Sequence, residues 1–199
     1  LIVFIPLFIF RTIGPLDFWW WMSANLVILL SLSFLTDVSY RKELTGDFQK
    51  SITKKIIWGL VSAAVLYGVF FIGNALVRWL FDFAGKDISQ VYGFKGGAEN
   101  LRIGLLMLLV IGPGEELLWR GYVQGTLSGS LGKGKGFLTG VLFYTLIHVA
   151  TGNLILIIAA LVGGLFWGWM YMKYRSMLMN IVSHVVWDIA IFLVLPLNG

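Results

Sequence analysis

The sequence lacks cysteine entirely, holds only two histidines and four prolines, and is poor in charge, with Asp, Glu, Lys and Arg making up 13% of its 199 residues. Without cysteine there is no disulfide framework, no thiolate nucleophile and no cysteine-held metal. A soluble domain carries about 25% charged residues, so this chain cannot clothe a water-facing surface. No polar linker is long enough to divide the chain into domains, and no internal repeat is visible. The formal net charge of +5 would suit nucleic acid in a soluble protein. Here the Lys and Arg residues fall between hydrophobic segments, where they read as topology signals facing anionic lipid, with no nucleic acid partner.

What is present is apolar: 58% hydrophobic and 16% aromatic residues, with a mean hydropathy of +0.86. A spanning helix takes about 20 apolar residues. Seven hydrophobic segments stand out, at about 1–10, 18–35, 56–81, 101–124, 137–149, 154–174 and 177–197. The expectation is an all-α, polytopic transmembrane helix bundle of about seven or eight helices, forming a single transmembrane domain over 1–199. Arg41, Lys42, Lys50, Lys54 and Lys55, then Lys133 and Lys135, then Lys173 and Arg175 fall in loops on one side if every segment spans. The opposite loops are poorer, which makes the basic side cytoplasmic. Trp19, Trp20, Trp21, Trp79, Trp169 and Tyr171 sit near segment ends, as interfacial anchors do. The expected location is a prokaryotic cell membrane, crossed several times. The oligomeric state is left open.

Ionisable groups at membrane depth are costly and mark function by default. The fourth segment carries Glu115, Glu116 and Arg120, the fifth His148, and the seventh His184 and Asp188. Glu116 and Arg120 are four apart and share a helix face. Glu115 points about 100° away from Glu116, free to face a cavity. His184 and Asp188 are again four apart. At 1.5 Å per residue, Glu115, His148 and His184 all lie about 14–18 Å from the cytoplasmic helix ends, so three helices bring polar groups to one level. Arg78 and Asp82, also four apart, read as an ion pair near the interface.

The run from Glu115 to Arg120 reads EExxxR, Tyr144 to His148 reads aromatic-xxx-His, and His184 to Asp188 reads HxxxD. In this order, on three hydrophobic helices, they resemble the CAAX-processing and bacteriocin-processing (CPBP) family of intramembrane proteases, over about 101–190. Tyr144 stands where that pattern usually has Phe, and Asp188 where the CAAX-processing branch has Asn. The resemblance implies hydrolysis of a peptide bond in a membrane-embedded or lipidated peptide or protein substrate, and the expectation here is a glutamate mechanism without a cofactor. Glu115 is then the general base, with His148 positioning the water and passing its proton on. Glu116 and Arg120 form a supporting clamp. His184 donates to the developing oxyanion, with Asp188 fixing its tautomer.

Several alternatives stay open. Glu115, His148, His184 and Asp188 are Zn²⁺ ligands by type, so a metalloprotease mechanism is the alternative, although the H-E-x-x-H spacing is absent. Buried Glu, His and Asp also serve proton-coupled transporters, and the same fold could act as a catalytically idle scaffold or immunity protein. Gly112-Pro113-Gly114 is expected to interrupt the fourth helix just before Glu115. Gly129 to Gly136, GSLGKGKG, falls one residue short of a P-loop and reads as a flexible basic loop. Gly164-xxx-Gly168 reads as a helix-packing face.

Overall fold

Lipid offers backbone N–H and C=O groups no partner, so a spanning segment must be helical. The computed structural model describes residues 2–49 and 51–198, without the side chains at 38, 39 and 41–43. Lys50 and the side chains of Arg41 and Lys42, on which some of the charge asymmetry rests, therefore lie outside the described residues. Among those described there are nine helices and no strand. They are α1 (Phe4–Phe10), α2 (Phe18–Thr36), α3 (Val38–Asp47), α4 (Ile52–Leu80), α5 (Ala84–Tyr92), α6 (100–131), α7 (Lys133–His148), α8 (Leu154–Tyr174) and α9 (Met177–Ile189). A π-helical stretch, Ala190–Val194, continues α9. Among the described residues four helical stretches are long and apolar enough to cross a membrane: Phe18–Thr36, Ile52–Leu80, Leu154–Tyr174 and Met177–Val194.

Hydropathy reading passes over two of these helices. α3 is polar, and the Asp37 side chain caps it by accepting from the Tyr40 N–H at 3.0 Å. α5 is short and amphipathic, with Ala84 and Ile88 buried. Both lie in what hydropathy alone reads as loops. At the head of α2, Asp17 accepts from the Trp19 and Trp20 backbone N–H groups and pairs with Arg102. Burial pushes its carboxyl up, but the Arg102 hydrogen bond and charge, together with these N–H groups, outweigh that and leave it below the ordinary value.

The helical path of α6 runs unbroken from Asn100 to Leu131. α-Turns at Asn100–Leu106, Gly112–Glu115 and Gly125–Leu131 alternate with π-turns at Met107–Ile111 and Glu116–Gln124. The expected interruption at Gly112-Pro113-Gly114 is thus absent. Pro113 has no N–H to donate, and the wider turn before it, closed by the Gly112 N–H on the Met107 carbonyl, carries the helix past. Such π-turns are rare and gather at functional sites. The expected basic loop is not a loop either: α6 ends at Leu131, α7 begins at Lys133, and Gly132 alone joins them at φ +84°. A Cβ on Gly136 would come within 2.6 Å of Ser128, so only glycine lets α6 and α7 meet this closely.

Glycines also set the distances between the helices that matter. A Cβ on Gly112 would stand 2.6 Å from the Val185 side chain, and one on Gly114 3.2 Å from Leu26. These contacts bring α9 and α2 against α6 beside Glu115, at the residue that follows His184. On α8, Gly164 faces Tyr144 and Val141, and Gly168 faces Phe137 and Gln124, so this small-residue face packs against α7 and α6. Two expectations are corrected. Arg78 does not pair with Asp82 but donates to the Asn74 carbonyl oxygen at 3.1 Å and the Leu197 backbone carbonyl at 3.2 Å, which hold its guanidinium along α4. Trp20, Trp79 and Trp169 are exposed, whereas Trp19, Trp21 and Tyr171 are buried, because α1 and the aromatic residues Phe18 and Phe192 cover Trp19.

Gly112→Val should push α9 away from α6. Overpacking of this kind costs about 1–3 kcal/mol, so the expected result is a lower unfolding midpoint in detergent. An unchanged midpoint would contradict the close approach.

Candidate active site

Glu115, His148, His184 and Asp188 line one cavity of about 140 Å³, together with Tyr144. The other walls are largely apolar and aromatic, among them Phe18, Trp19, Met22 and Trp167. Four helices supply the polar groups and their lid: α6 gives Glu115, α7 gives Tyr144 and His148, α9 gives His184 and Asp188, and α2 closes one side. Glu115 is nine-tenths buried and Glu116 wholly so, but Glu116 faces away from the cavity into the protein. One residue of helix rotation separates the two carboxylates, and packing assigns each its surroundings.

Glu116 is the hub behind the cavity wall. Its Oε1 accepts from Arg120 Nη1 at 2.9 Å and from His184 Nδ1 at 2.7 Å, and its Oε2 accepts from Asn180 Nδ2 at 2.9 Å. Asn180 also donates to the Trp167 carbonyl at 2.8 Å, and the Trp167 ring stacks on His184 with centroids 3.8 Å apart. Arg120 lies over the Tyr144 ring at 4.5 Å. The expected pairing of Glu116 with Arg120 is therefore present. The expectation that Asp188 fixes the His184 tautomer needs correction. Glu116 holds Nδ1, while Asp188 Oδ1 stands 3.6 Å from Nε2, beyond a hydrogen bond.

Both imidazoles have their Nδ1 engaged. His148 Nδ1 lies 2.7 Å from the Tyr144 backbone carbonyl, and a carbonyl only accepts, so this nitrogen carries the hydrogen. In the neutral ring Nε2 then keeps its lone pair. The same reasoning gives His184 an Nδ1–H directed at Glu116. Glu115 has one hydrogen-bond partner among the described residues: the Tyr144 hydroxyl donates to its Oε2 at 2.9 Å.

Metal-binding histidines are held through one ring nitrogen in the same way. Among the described residues no three His, Asp or Glu side chains converge closely enough to hold one ion. As placed, the residues do not form a zinc ligand set.

Sequence reasoning missed three contributors. Asn180, His184 and Asp188 form a stripe at spacings of four on α9, and that spacing could have pointed to Asn180. Tyr144 counts in the motif only as an aromatic position, and its hydroxyl carries no pattern of its own. Trp167 is one of several tryptophans and has no distinguishing signal.

Residues 97–190 match the family described as type II CAAX prenyl endopeptidase Rce1-like. This stretch belongs to that family. It spans just under half of the chain and contains all three motifs that carry the likeness to CPBP proteases. The four long apolar helices support a multi-pass membrane protein, and the matched stretch is similar to a family of CAAX-type proteases. No curated protein and no solved structure matches the chain. The matched stretch runs from just before α6 to the cavity-lining portion of α9.

Removing the Glu116 charge leaves Arg120 buried without its ion pair, and breaking such a pair costs about 3–5 kcal/mol. Glu116→Gln should therefore lower the unfolding midpoint in detergent markedly and also loosen His184. A midpoint equal to that of the unsubstituted protein would show that the cluster is not the structural hub.

Proposed function

We propose that the chain is an endopeptidase that hydrolyses a peptide bond next to an apolar chain attached to the substrate, inside the membrane, with Glu115 as general base. The observation that carries this reading is the single cavity bringing Glu115, His148 and His184 together from three helices. The family description, which names prenyl endopeptidases, supports the substrate class. So does a second, apolar cavity of about 220 Å³ between α4, α5, α8 and α9, which shares Val91, Leu156, Ala159, Trp187 and Phe192 with the first. The substrate's lipid chain lies in this groove, and its peptide reaches the polar cavity next door.

In this reading the water sits between two acceptors, the Glu115 carboxylate and His148 Nε2. Its hydrogens point at these two groups, which leaves an oxygen lone pair for the substrate carbonyl. As the water oxygen bonds to the carbonyl carbon, Glu115 takes one proton. The C–N bond then breaks, and that proton passes to the departing amine nitrogen, giving a carboxylic acid and an amine. His184 donates from Nε2 to the oxyanion. Because Nδ1–H is committed to Glu116, this requires the doubly protonated ring, and Asp188 stands near enough to balance its charge. Donors held in place before reaction, in a cavity of low dielectric, are the arrangement that stabilises developing charge.

The test uses a quenched-fluorescent peptide ending in a prenylated CAAX sequence, the same peptide without the prenyl group, and the full chain in lipid vesicles. The unsubstituted protein should cleave the prenylated peptide with the lower KM. Glu115→Gln should abolish cleavage while leaving the unfolding midpoint within error. Cleavage by Glu115→Gln at the unsubstituted rate would overturn the assignment of the base. Purified, active protein is further expected to carry no stoichiometric metal and to tolerate chelation. About one zinc per chain, with activity lost on stripping and regained on adding zinc, would replace the glutamate mechanism with a metal one.

A further inference from the structure

Tyr144 touches both members of the proposed water-activating pair, through two different groups. Its hydroxyl donates to Glu115 Oε2 at 2.9 Å, and its backbone carbonyl accepts from His148 Nδ1 at 2.7 Å. The side chain has no freedom to be elsewhere. The ring is buried, meets Trp119 edge-on with centroids 5.3 Å apart, and lies under the Arg120 guanidinium at 4.5 Å. Gly164 lets α8 close over it, since a Cβ there would stand 3.2 Å from the Tyr144 ring.

Glu115, by contrast, has a flexible side chain, and among the described residues no hydrogen bond other than that from Tyr144 reaches it. A carboxylate in that position has many rotamers of similar energy unless one hydrogen bond selects among them. Phenylalanine, the usual residue at this place in the motif, would fill the same space without that bond.

We infer that Tyr144 is a positioning residue for the Glu115 base, its hydroxyl holding the carboxylate in the one orientation that shares a water with His148. This inference rests on the reading of Glu115 as general base. It assigns to Tyr144 no proton transfer and no contact with substrate. The backbone carbonyl keeps its grip on His148 whatever the side chain, so the hydroxyl's contribution can be removed by itself. Losing one hydrogen bond to a charged group is expected to cost about 10- to 100-fold in rate.

The experiment compares Tyr144→Phe, Glu115→Gln and the double variant as full chains in vesicles, with the prenylated peptide. Tyr144→Phe should lower kcat about 10- to 100-fold with KM and unfolding midpoint unchanged. The double variant should be no slower than Glu115→Gln alone, because the hydroxyl acts only through that carboxylate. An activity-independent readout comes from infrared difference spectra. The carboxyl band identified by its loss in Glu115→Gln should shift in Tyr144→Phe. A Tyr144→Phe protein with unsubstituted kcat overturns the inference and leaves the general-base reading standing. An unmoved carboxyl band, or a fall in activity matched by a fall in the unfolding midpoint, also overturns it, since either would make the residue merely structural. Full activity in Glu115→Gln would instead remove the reading on which the inference rests.

Discussion

The arrangement depends on one carboxylate that never meets water. Glu116 accepts hydrogen bonds from an arginine on its own helix and from a histidine and an asparagine on α9. Taking such a charge out of water costs several kcal/mol, and only a full set of donors at good geometry offsets it. The same requirement dictates structure. α9 must present Asn180 and His184 at one height and one rotation, and α8 must leave room for Trp167 to stack on the imidazole. Once these conditions hold, His184 points its second nitrogen into the cavity, and Glu115, one residue before Glu116, can only face the same space. The charged cluster is thus the reference point from which the cavity wall is built.

Wide helical turns and small residues make that geometry reachable. The π-turns flanking Gly112–Glu115 alter the angular step along α6. Carbonyls in such turns are also open to outside donors. The Leu117 carbonyl accepts from the Tyr40 hydroxyl on α3 at 2.6 Å, with Gly121 leaving space for the tyrosine ring. A polar helix invisible to hydropathy thereby braces the helix that carries the acid residues.

Much of this was legible in the sequence, and what was not has physical causes. The seven apolar segments correspond to helices because lipid permits nothing else. Glu115 and Glu116 fall on different sides because adjacent helical residues must. Spacing within a single helix also foretold the Glu116–Arg120 pair. Relations between helices were harder to read. That Glu116 rather than Asp188 holds the His184 ring depends on how α9 is rotated against α6, and no spacing within α9 contains that rotation. The Tyr144 hydroxyl likewise depends on α7 meeting α6. Pro113 and its neighbouring glycines suggested a break because such residues weaken ordinary α-turns, and the wider turn that absorbed them has no sequence signature. α3 was missed because it is polar, and α5 because averaging hydropathy over a window hides a short helix with one wet face.

The one-residue corner at Gly132 has a consequence for biosynthesis. α6 carries three charged groups at close spacing, Glu115, Glu116 and Arg120. Joined to α7 through a single glycine, it forms one arm of a helical hairpin. Arg120 neutralises Glu116 within that arm, and Tyr144 on the other arm of the hairpin covers Glu115. The donors from α9 arrive only when that later helix has been made and has packed against Gly112. The polar cluster around Glu116 is therefore complete only once the last long helix, with Asn180 and His184, is in place.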